Sequence, residues 1–510
     1  MIAYLGRRLT ALLVILFGSS FILYNLAAIS GDPTEGLRGS TDPKVKAQLL
    51  SLTRTLNLDV PPPARYFLWL KRIFSGFDFG KTRDGHPVSI DLAAAIPTTI
   101  RLILLATIIA IILGLAFGIV SALRQYSRFD YGMTFVAFLM YSLPIFWVAV
   151  LLKQYLAISF NDFLDQVTIQ PGWIIALSLV SGIFWASLIS GDRARVWKIF
   201  GIAGGASALL LTLLSVTKWF ANPGIGPIVL LGLSVGAAYG ITFLSTGLGN
   251  KPALRSAQSM AVIGLLLYYP NQYIFNHAGG VLTIVGLALL TALIGVGVSR
   301  YWAKIDRGPV TRTAILTGVV IGILTIIDKL MQTFKPYIET DAINGRPVPT
   351  ISESNSLLPP GNFWFTFLDT LLHLFLPTIA LALISFAGYV RYSRGTLLEV
   401  MNQDYIRTAR AKGLTERTVI MRHAFRNTLI PLTTIIVVDF AAIIGGAIIT
   451  ERVFGWRGMG TLFNKAISDF DLNLLMGVFF VTSTLAVLAN LAADLLYSAL
   501  DPRIRVVGKS

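Results

Sequence analysis

Twelve apolar stretches of roughly 18 to 28 residues follow one another along this chain of 510 residues, each long enough for a helix to cross a bilayer core of about 30 Å. Backbone inside hydrocarbon has to satisfy its own hydrogen bonds, so such runs predict spanning α-helices. They lie at Leu9–Ile29, Thr98–Ala122, Tyr131–Ser159, Trp173–Ser190, Ile199–Thr217, Ile225–Leu248, Gln258–Phe275, Gly280–Ser299, Thr313–Leu330, Thr366–Val390, Leu429–Thr450 and Leu474–Leu500. Composition agrees: 55% of residues are hydrophobic, 13% are charged and mean hydropathy is +0.70, which excludes a soluble enzyme, a secreted scaffold and a disordered tail. The first run follows Arg7-Arg8 and exceeds the roughly 7–15 apolar residues of a signal-peptide core, so it predicts an uncleaved first span.

The net charge of +16 would suggest nucleic acid in a soluble chain, but in a membrane chain Lys and Arg first report sidedness. With the N-terminus inside, the inner connections hold 24 Lys and Arg and the short outer ones only 6. That bias predicts twelve spans with both termini inside. The outer segment 31–97 carries nine basic and seven acidic residues; nearly neutral, it predicts a small folded extracytoplasmic element and no nucleic-acid arm. There is no cysteine, hence no disulfide or thiolate site, and the four histidines are too scattered for a metal site.

The two large hydrophilic pieces fall after span one and between spans ten and eleven, which divides the chain into 3 + 6 + 3 spans. Residues 1–160 hold spans one to three, 161–362 the six middle spans, and 363–510 the last three. The middle piece starts and ends outside, so its even number of spans allows insertion into one outer loop without changing the sidedness of the last three spans.

The inner segment 394–428 is the most informative stretch. In Asp404-Tyr-Ile-Arg-Thr-Ala-Arg-Ala-Lys-Gly413-Leu-Thr415, Asn402 or Asp404 can cap a short helix, Gly413 can take a left-handed conformation that ends it, and Thr415 can cap a second helix towards Pro431. On that second helix Met421, Phe425 and Leu429 recur every four residues, while Arg422 and Arg426 form a separate basic row. Such a helix, turn and helix has one face to bury and another to offer an acidic partner; the alternative is arginines that only enforce topology.

The stretch from Asp404 to Pro431 resembles the cytoplasmic coupling loop of bacterial ABC-importer permeases, specifically the dipeptide/oligopeptide/nickel permease family. The likeness continues in Gly31-Asp32-Pro33, Asp78-Phe79-Gly80, Tyr141-Ser142-Leu143-Pro144-Ile145-Phe146-Trp147, Leu376-Pro377, Gly446-Ala447-Ile448-Ile449-Thr450-Glu451, Asp494-Leu495-Leu496-Tyr497 and Pro502-Arg503-Ile504-Arg505. It covers approximately 1–160 and 363–510 and leaves the middle piece uncovered. Where the wider superfamily has Glu-Ala-Ala, this chain has Arg407-Thr408-Ala409, as in the peptide branch.

The resemblance implies an all-α polytopic protein of the bacterial cytoplasmic membrane: a six-helix permease core, here with a six-helix insertion. A second similar permease would complete the pathway, two ATPases would bind and hydrolyse ATP with Mg, and an extracytoplasmic binding protein would deliver peptide. Asp404, Tyr405, Arg407, Ala409, Lys412, Gly413, Thr415, Arg422 and Arg426 would couple to the ATPases. The chain contains no Gly-x-x-x-x-Gly-Lys-Ser/Thr, so it is expected to be a transport subunit with no cofactor of its own.

Ionisable groups at membrane depth are costly and default to functional suspicion. Asp439, about ten residues from either end of span eleven, is expected either to face the pathway or to make a buried structural contact. Tyr141 and Pro144 are further pathway positions, Pro144 because it kinks span three. His373, alone in its segment, reads better as a hydrogen-bonded helix residue than as a nickel ligand. The middle spans, with few ionisable residues, are expected to be accessory and non-lining. Three alternatives stand beside a peptide importer: an ion-gradient-driven secondary transporter, which needs an internal repeat that is not visible here; an ABC permease for nickel or another solute; and a membrane enzyme, for which no nucleophile–base set is present.

Overall fold

A computed structural model describes residues 2–34, 38–39, 42–189, 191–304, 307–429, 431–433, 435–436 and 447–500. In chain order the helices are α1 (Ile2–Ser30), α2 (Pro43–Leu56), α3 (Pro62–Gly76), α4 (Val88–Leu123), α5 (Arg128–Ser142), α6 (Ile145–Leu152), α7 (Ser159–Asp165), α8 (Pro171–Ile189), α9 (Arg193–Val216) and α10 (Gly226–Ser245). They continue with α11 (Lys251–Leu266), α12 (Tyr268–His277), α13 (Val281–Trp302), α14 (Arg307–Ile338), α15 (Phe363–Met401), α16 (Asp404–Ala411), α17 (Glu416–Thr418), α18 (Ile448–Phe454), α19 (Met459–Ser468) and α20 (Leu472–Leu500). A π-helical turn, Lys153–Ile158, extends α6, and another, Val419–Ala424, extends α17. Extended pairing among the described residues is limited to one bridge, Lys81 to Pro87.

Among the described residues, nine helices are long and apolar enough to span a membrane, and a tenth span is made by α5 with the helical stretch Ile145–Asp165 if that bent pair crosses as one. The pair is bent by 102°, so Tyr131–Ser159 is not the single helix its hydropathy suggested. Pro144 has no N–H for the preceding turn, and Leu143 before it is held extended (φ −81°, ψ 130°). The run Gln258–Phe275 likewise divides at Leu267 into α11 and α12. Pro270 removes the bond that would have closed on Leu266, and the helix restarts at Tyr268. Most of Leu429–Thr450 lies outside the described residues, and so does Asp439.

The chain forms two compact units. The first comprises residues 1–156, 350–353 and 373–510. A large apolar cluster joins neighbouring ends of five helices: Tyr24 of α1, Tyr66, Trp69 and Ile73 of α3, Val88 and Leu92 of α4, Met459 and Ala466 of α19, and Met476 and Val478 of α20. Aromatic edges give this cluster its geometry, with Tyr66 5.2 Å from Phe21 and 5.5 Å from Tyr24, ring centre to ring centre, and Trp69 6.1 Å from Phe480. The Tyr66 hydroxyl is satisfied by Ser20 Oγ at 2.9 Å.

The second unit comprises residues 157–349 and 354–372. Its α10, α11, α13 and α14 pack around Met260, Ala261, Ala314 and Ile321. Close approach is made by small residues: a Cβ on Gly264 would come within 2.5 Å of Ile321, and one on Gly318 within 2.7 Å of Met260 and Thr291. At one end of this bundle the fully buried carboxylate of Asp328 accepts five hydrogen bonds. Oδ1 takes the backbone N–H groups of Ile225 (2.7 Å) and Gly226 (3.1 Å), where α10 begins. Oδ2 takes Tyr268 Oη (2.7 Å), Gln272 Nε2 (3.2 Å) and Gln332 Nε2 (2.8 Å). A buried polar group persists only with such compensation.

Candidate functional site

Within the first unit, the segment that follows α15 forms a helix, a turn and a helix. Gln403, extended at φ −72° and ψ 149°, precedes α16, so neither Asn402 nor Asp404 is the N-cap. Asp404 sits instead in the first turn, where its charge complements the helix dipole. Gly413 is left-handed at φ +75°, a conformation that a β-carbon would strain. Thr415 caps α17 by accepting from the N–H of Thr418. The turn is closed across its mouth by Arg410 and Glu416, with Nη2 2.7 Å and Nε 3.2 Å from the two carboxylate oxygens. The hydrogen bond from Arg410 is the main cause holding the Glu416 carboxyl below its usual range.

The segment has two faces, but not by the spacing read from the sequence: Val419–Ala424 is a π-helical turn, Met421 is exposed, and Phe425 and Leu429 are only half-buried. Ile406, Ala409, Val419 and Ala424 are buried with Leu397 of α15 and Ala122 of α4. Asp404, Tyr405, Arg407, Lys412, Gly413, Thr415, Arg422 and Arg426 are exposed. Met421, 52% exposed, and Leu414, 39% exposed, leave apolar patches between the cations. Of the nine coupling positions read from the sequence, Ala409 alone points inwards, so its role is to root α16. The outer face combines a short dipolar helix, an arginine row and exposed apolar side chains.

A second feature holds this segment in place, and sequence reasoning missed it. Asp130, in the first turn of α5 and 2% exposed, receives Arg394 of α15 through Nε at 2.6 Å and Nη2 at 2.9 Å. Its remaining lone pairs take Ser121 Oγ at 2.5 Å and the N–H of Tyr126 at 3.0 Å. This forked pair clamps the base of α15, nine residues before Gln403, to the corner between α4 and α5. The spacing Ser127-x-x-Asp130 carried a signal, since Ser127 caps α5 by accepting from the Asp130 N–H, but nothing local pointed to Arg394.

Elsewhere, Tyr141 lies under the Arg391 guanidinium, 4.2 Å from the ring centre, and stays 58% exposed. His373 is buried within α15. Near the other ends of α4 and α6, the buried Glu451 of α18 accepts from Thr99 Oγ1 (2.7 Å) and the Thr461 N–H (2.9 Å). Gly458 and Gly460 wrap it so tightly that a Cβ on Gly458 would collide with the Glu451 carboxylate and one on Gly460 would lie 2.6 Å from Ile448 Cα.

The first unit thus carries an exposed basic helix, turn and helix tied to its long apolar helices by a buried ion pair. Residues 314–506 match the family described as the binding-protein-dependent transport system inner membrane component. An oligopeptide transport permease of Mycobacterium tuberculosis is 26% identical over 506 residues, 99% of this chain and 100% of that one. An oligopeptide transport permease of Bacillus subtilis is 24% identical over 508 residues, 99% of each. A dipeptide transport permease of Escherichia coli K12 is 43% identical over 139 residues, 27% of this chain and 41% of that one. These matches support a peptide-type permease of an ABC importer. The many apolar helices and these relatives support a multi-pass permease of the cytoplasmic membrane.

Proposed function

We propose that this permease forms one half of a pathway for peptides, with a second permease as the other half, two ATPases beneath and a binding protein above. The observation that carries this reading is the two-faced coupling segment, rooted by Ile406, Ala409, Val419 and Ala424 and exposing Tyr405, Arg407, Arg422 and Arg426. ATP and Mg2+ belong to the partner ATPases, whose movement reaches the permease through α16, the Gly413 turn and α17. The Asp130–Arg394 pair passes it on, because the docking segment and the inner ends of α4 and α5 are then tied to α15. Asp439, Tyr141 and Pro144 are proposed pathway positions, and twelve spans with both termini inside the proposed topology.

Residues 161–362 are proposed as an inserted accessory block that does not line the pathway. Two observations support this. The unit 157–349 has its own packed interior, and its buried carboxylate at Asp328 is fully engaged by donors of the unit itself. The Escherichia coli relative is also shorter, about 340 residues, since 139 residues are 41% of it.

The test is reconstitution of the permease pair with ATPases, binding protein and a peptide in liposomes. Arg422→Glu with Arg426→Glu should weaken ATPase binding in a manner relieved by high salt, because like charges then face each other. ATPase binding and peptide uptake unchanged by that double reversal would refute the docking assignment.

A further inference from the structure

The segment between α1 and α4 reads in sequence as an extracytoplasmic element, yet the structure sets part of it alongside a span. Tyr66 of α3 bonds Ser20 Oγ at 2.9 Å and stacks edge-on against Phe17, 5.9 Å between ring centres. Ser20 and Phe17 lie ten and thirteen residues before the outer end of α1 at Ser30. At 1.5 Å per residue they are roughly 15 and 20 Å below that end. The apolar stretch of α1, Gly6–Ser30, has 25 residues. That is about 37 Å of helix against a hydrocarbon core of about 30 Å. Even if all the excess projects outwards, Ser20 and Phe17 stay roughly 8 and 12 Å inside the core.

The side of α3 away from its packed face is apolar too. Tyr66, Trp69 and Ile73 are buried in the unit, while Phe67 (53% exposed), Leu68 (44%) and Phe74 (80%) point outwards. This outer stripe continues on α1: Phe67 lies 6.5 Å from Phe17, ring to ring, and Leu13 and Val14, one turn further down α1, are 53% and 64% exposed. The exposed stripe on α3 is therefore an extension of the lipid-facing surface of a span. Lys71 is exposed on the same stripe, between Leu68 and Phe74, and its four-carbon stem lets the ammonium reach lipid phosphates while the helix stays apolar below.

We propose that α3 is an interfacial anchor embedded in the outer leaflet, with Phe67, Leu68 and Phe74 among acyl chains and Lys71 at the phosphates of glycerophospholipids. It fixes the height of the extracytoplasmic element against the membrane, and so the height of the surface on which a binding protein would settle.

The cysteine-free chain permits a direct test in the assembled importer in lipid nanodiscs. A nitroxide is attached to Phe67→Cys or Phe74→Cys, with Val14→Cys as the lipid reference and Lys46→Cys, on the exposed side of α2, as the water reference. Collision with oxygen and with a water-soluble nickel chelate is measured by spin resonance, using variants that retain substrate-stimulated ATP hydrolysis. The expected result is high oxygen and low nickel accessibility at 67 and 74, matching position 14. Nickel accessibility equal to that at 46 would place the face in water and overturn the proposal. Low accessibility to both reagents would show it covered by protein, such as the second permease, and would overturn it equally.

Discussion

Replacing Asp130 by Asn keeps the volume of the side chain and its ability to accept one bond from Ser121 or Tyr126, while removing the charge that Arg394 needs. Asp130 is 2% exposed and Arg394 28%, and the pair is forked at 2.6 and 2.9 Å. Removing one partner of a fully buried pair costs about 3–5 kcal/mol, and the partial exposure of Arg394 lowers that to about 2–3 kcal/mol. At 1.36 kcal/mol per tenfold, the clamped arrangement of α15 on the α4–α5 corner then loses roughly 30- to 150-fold in population relative to a released one. The assay is peptide-stimulated over basal ATP hydrolysis by the reconstituted importer, read with the thermal midpoint of the complex. D130N should lower the midpoint and collapse the stimulation while ATPases still bind, since the exposed docking face is untouched. R394K should fall between, because an ammonium keeps the charge and loses the fork. A D130N complex with normal stimulation and an unshifted midpoint would refute the clamp.

At Gly413 the left-handed φ of +75° makes Gly413→Val cost about 1 kcal/mol or more in the turn, and transport-coupled ATP hydrolysis should be lost while membrane insertion is retained. Gly460→Ala forces a methyl to within 2.6 Å of Ile448 Cα, where backbone must shift; a destabilisation of about 1–3 kcal/mol should appear as a lowered thermal midpoint of the complex. The Arg410–Glu416 closure should fade on acidification. The folded Glu416 carboxyl lies below its ordinary value of 4.5, so the contribution is whole above that value and lost as pH falls through the lower folded one. Glu416→Gln should remove this acid sensitivity from ATPase docking. Asp439→Asn should alter transport rate with assembly intact if the side chain faces the pathway, and an Asp439→Cys variant inaccessible to water-soluble maleimide in every state of the cycle would refute that placement.

The spans were legible wherever hydropathy and helical continuity coincide. They failed where a proline interrupts an apolar run, at Pro144 and Pro270, because hydropathy averages over a window and is blind to one missing N–H. The helix, turn and helix after α15 was legible where its signals are local, a glycine able to go left-handed and a threonine cap; its buried face was not, because the four-residue spacing of Met421 and Phe425 assumes an α-helix where the chain makes a π-helical turn and buries Val419 and Ala424. Asp130 was not legible, since its partner lies 264 residues away and the sequence shows only an acidic residue beside a positive loop. The anchoring face of α3 was hidden for another reason. Phe67 and Trp69 are both aromatic, and nothing in the string Tyr-Phe-Leu-Trp-Leu tells which faces the interior of the unit and which faces away from it.

The five donors that converge on Asp328 come from the start of α10, from α12 and from α14, stretches that enter the membrane at different times during synthesis. Asp328 and Gln332 are the last of these residues to be synthesised, so the carboxylate meets donors on α10 and α12 that were made before it. An arrangement that lacks some of these donors leaves a buried carboxyl group short of partners. Docking of α14 against the start of α10 and against α12 is therefore the step at which this acid gains its partners, and a chain in which either is misplaced leaves it with fewer donors than the five it has here.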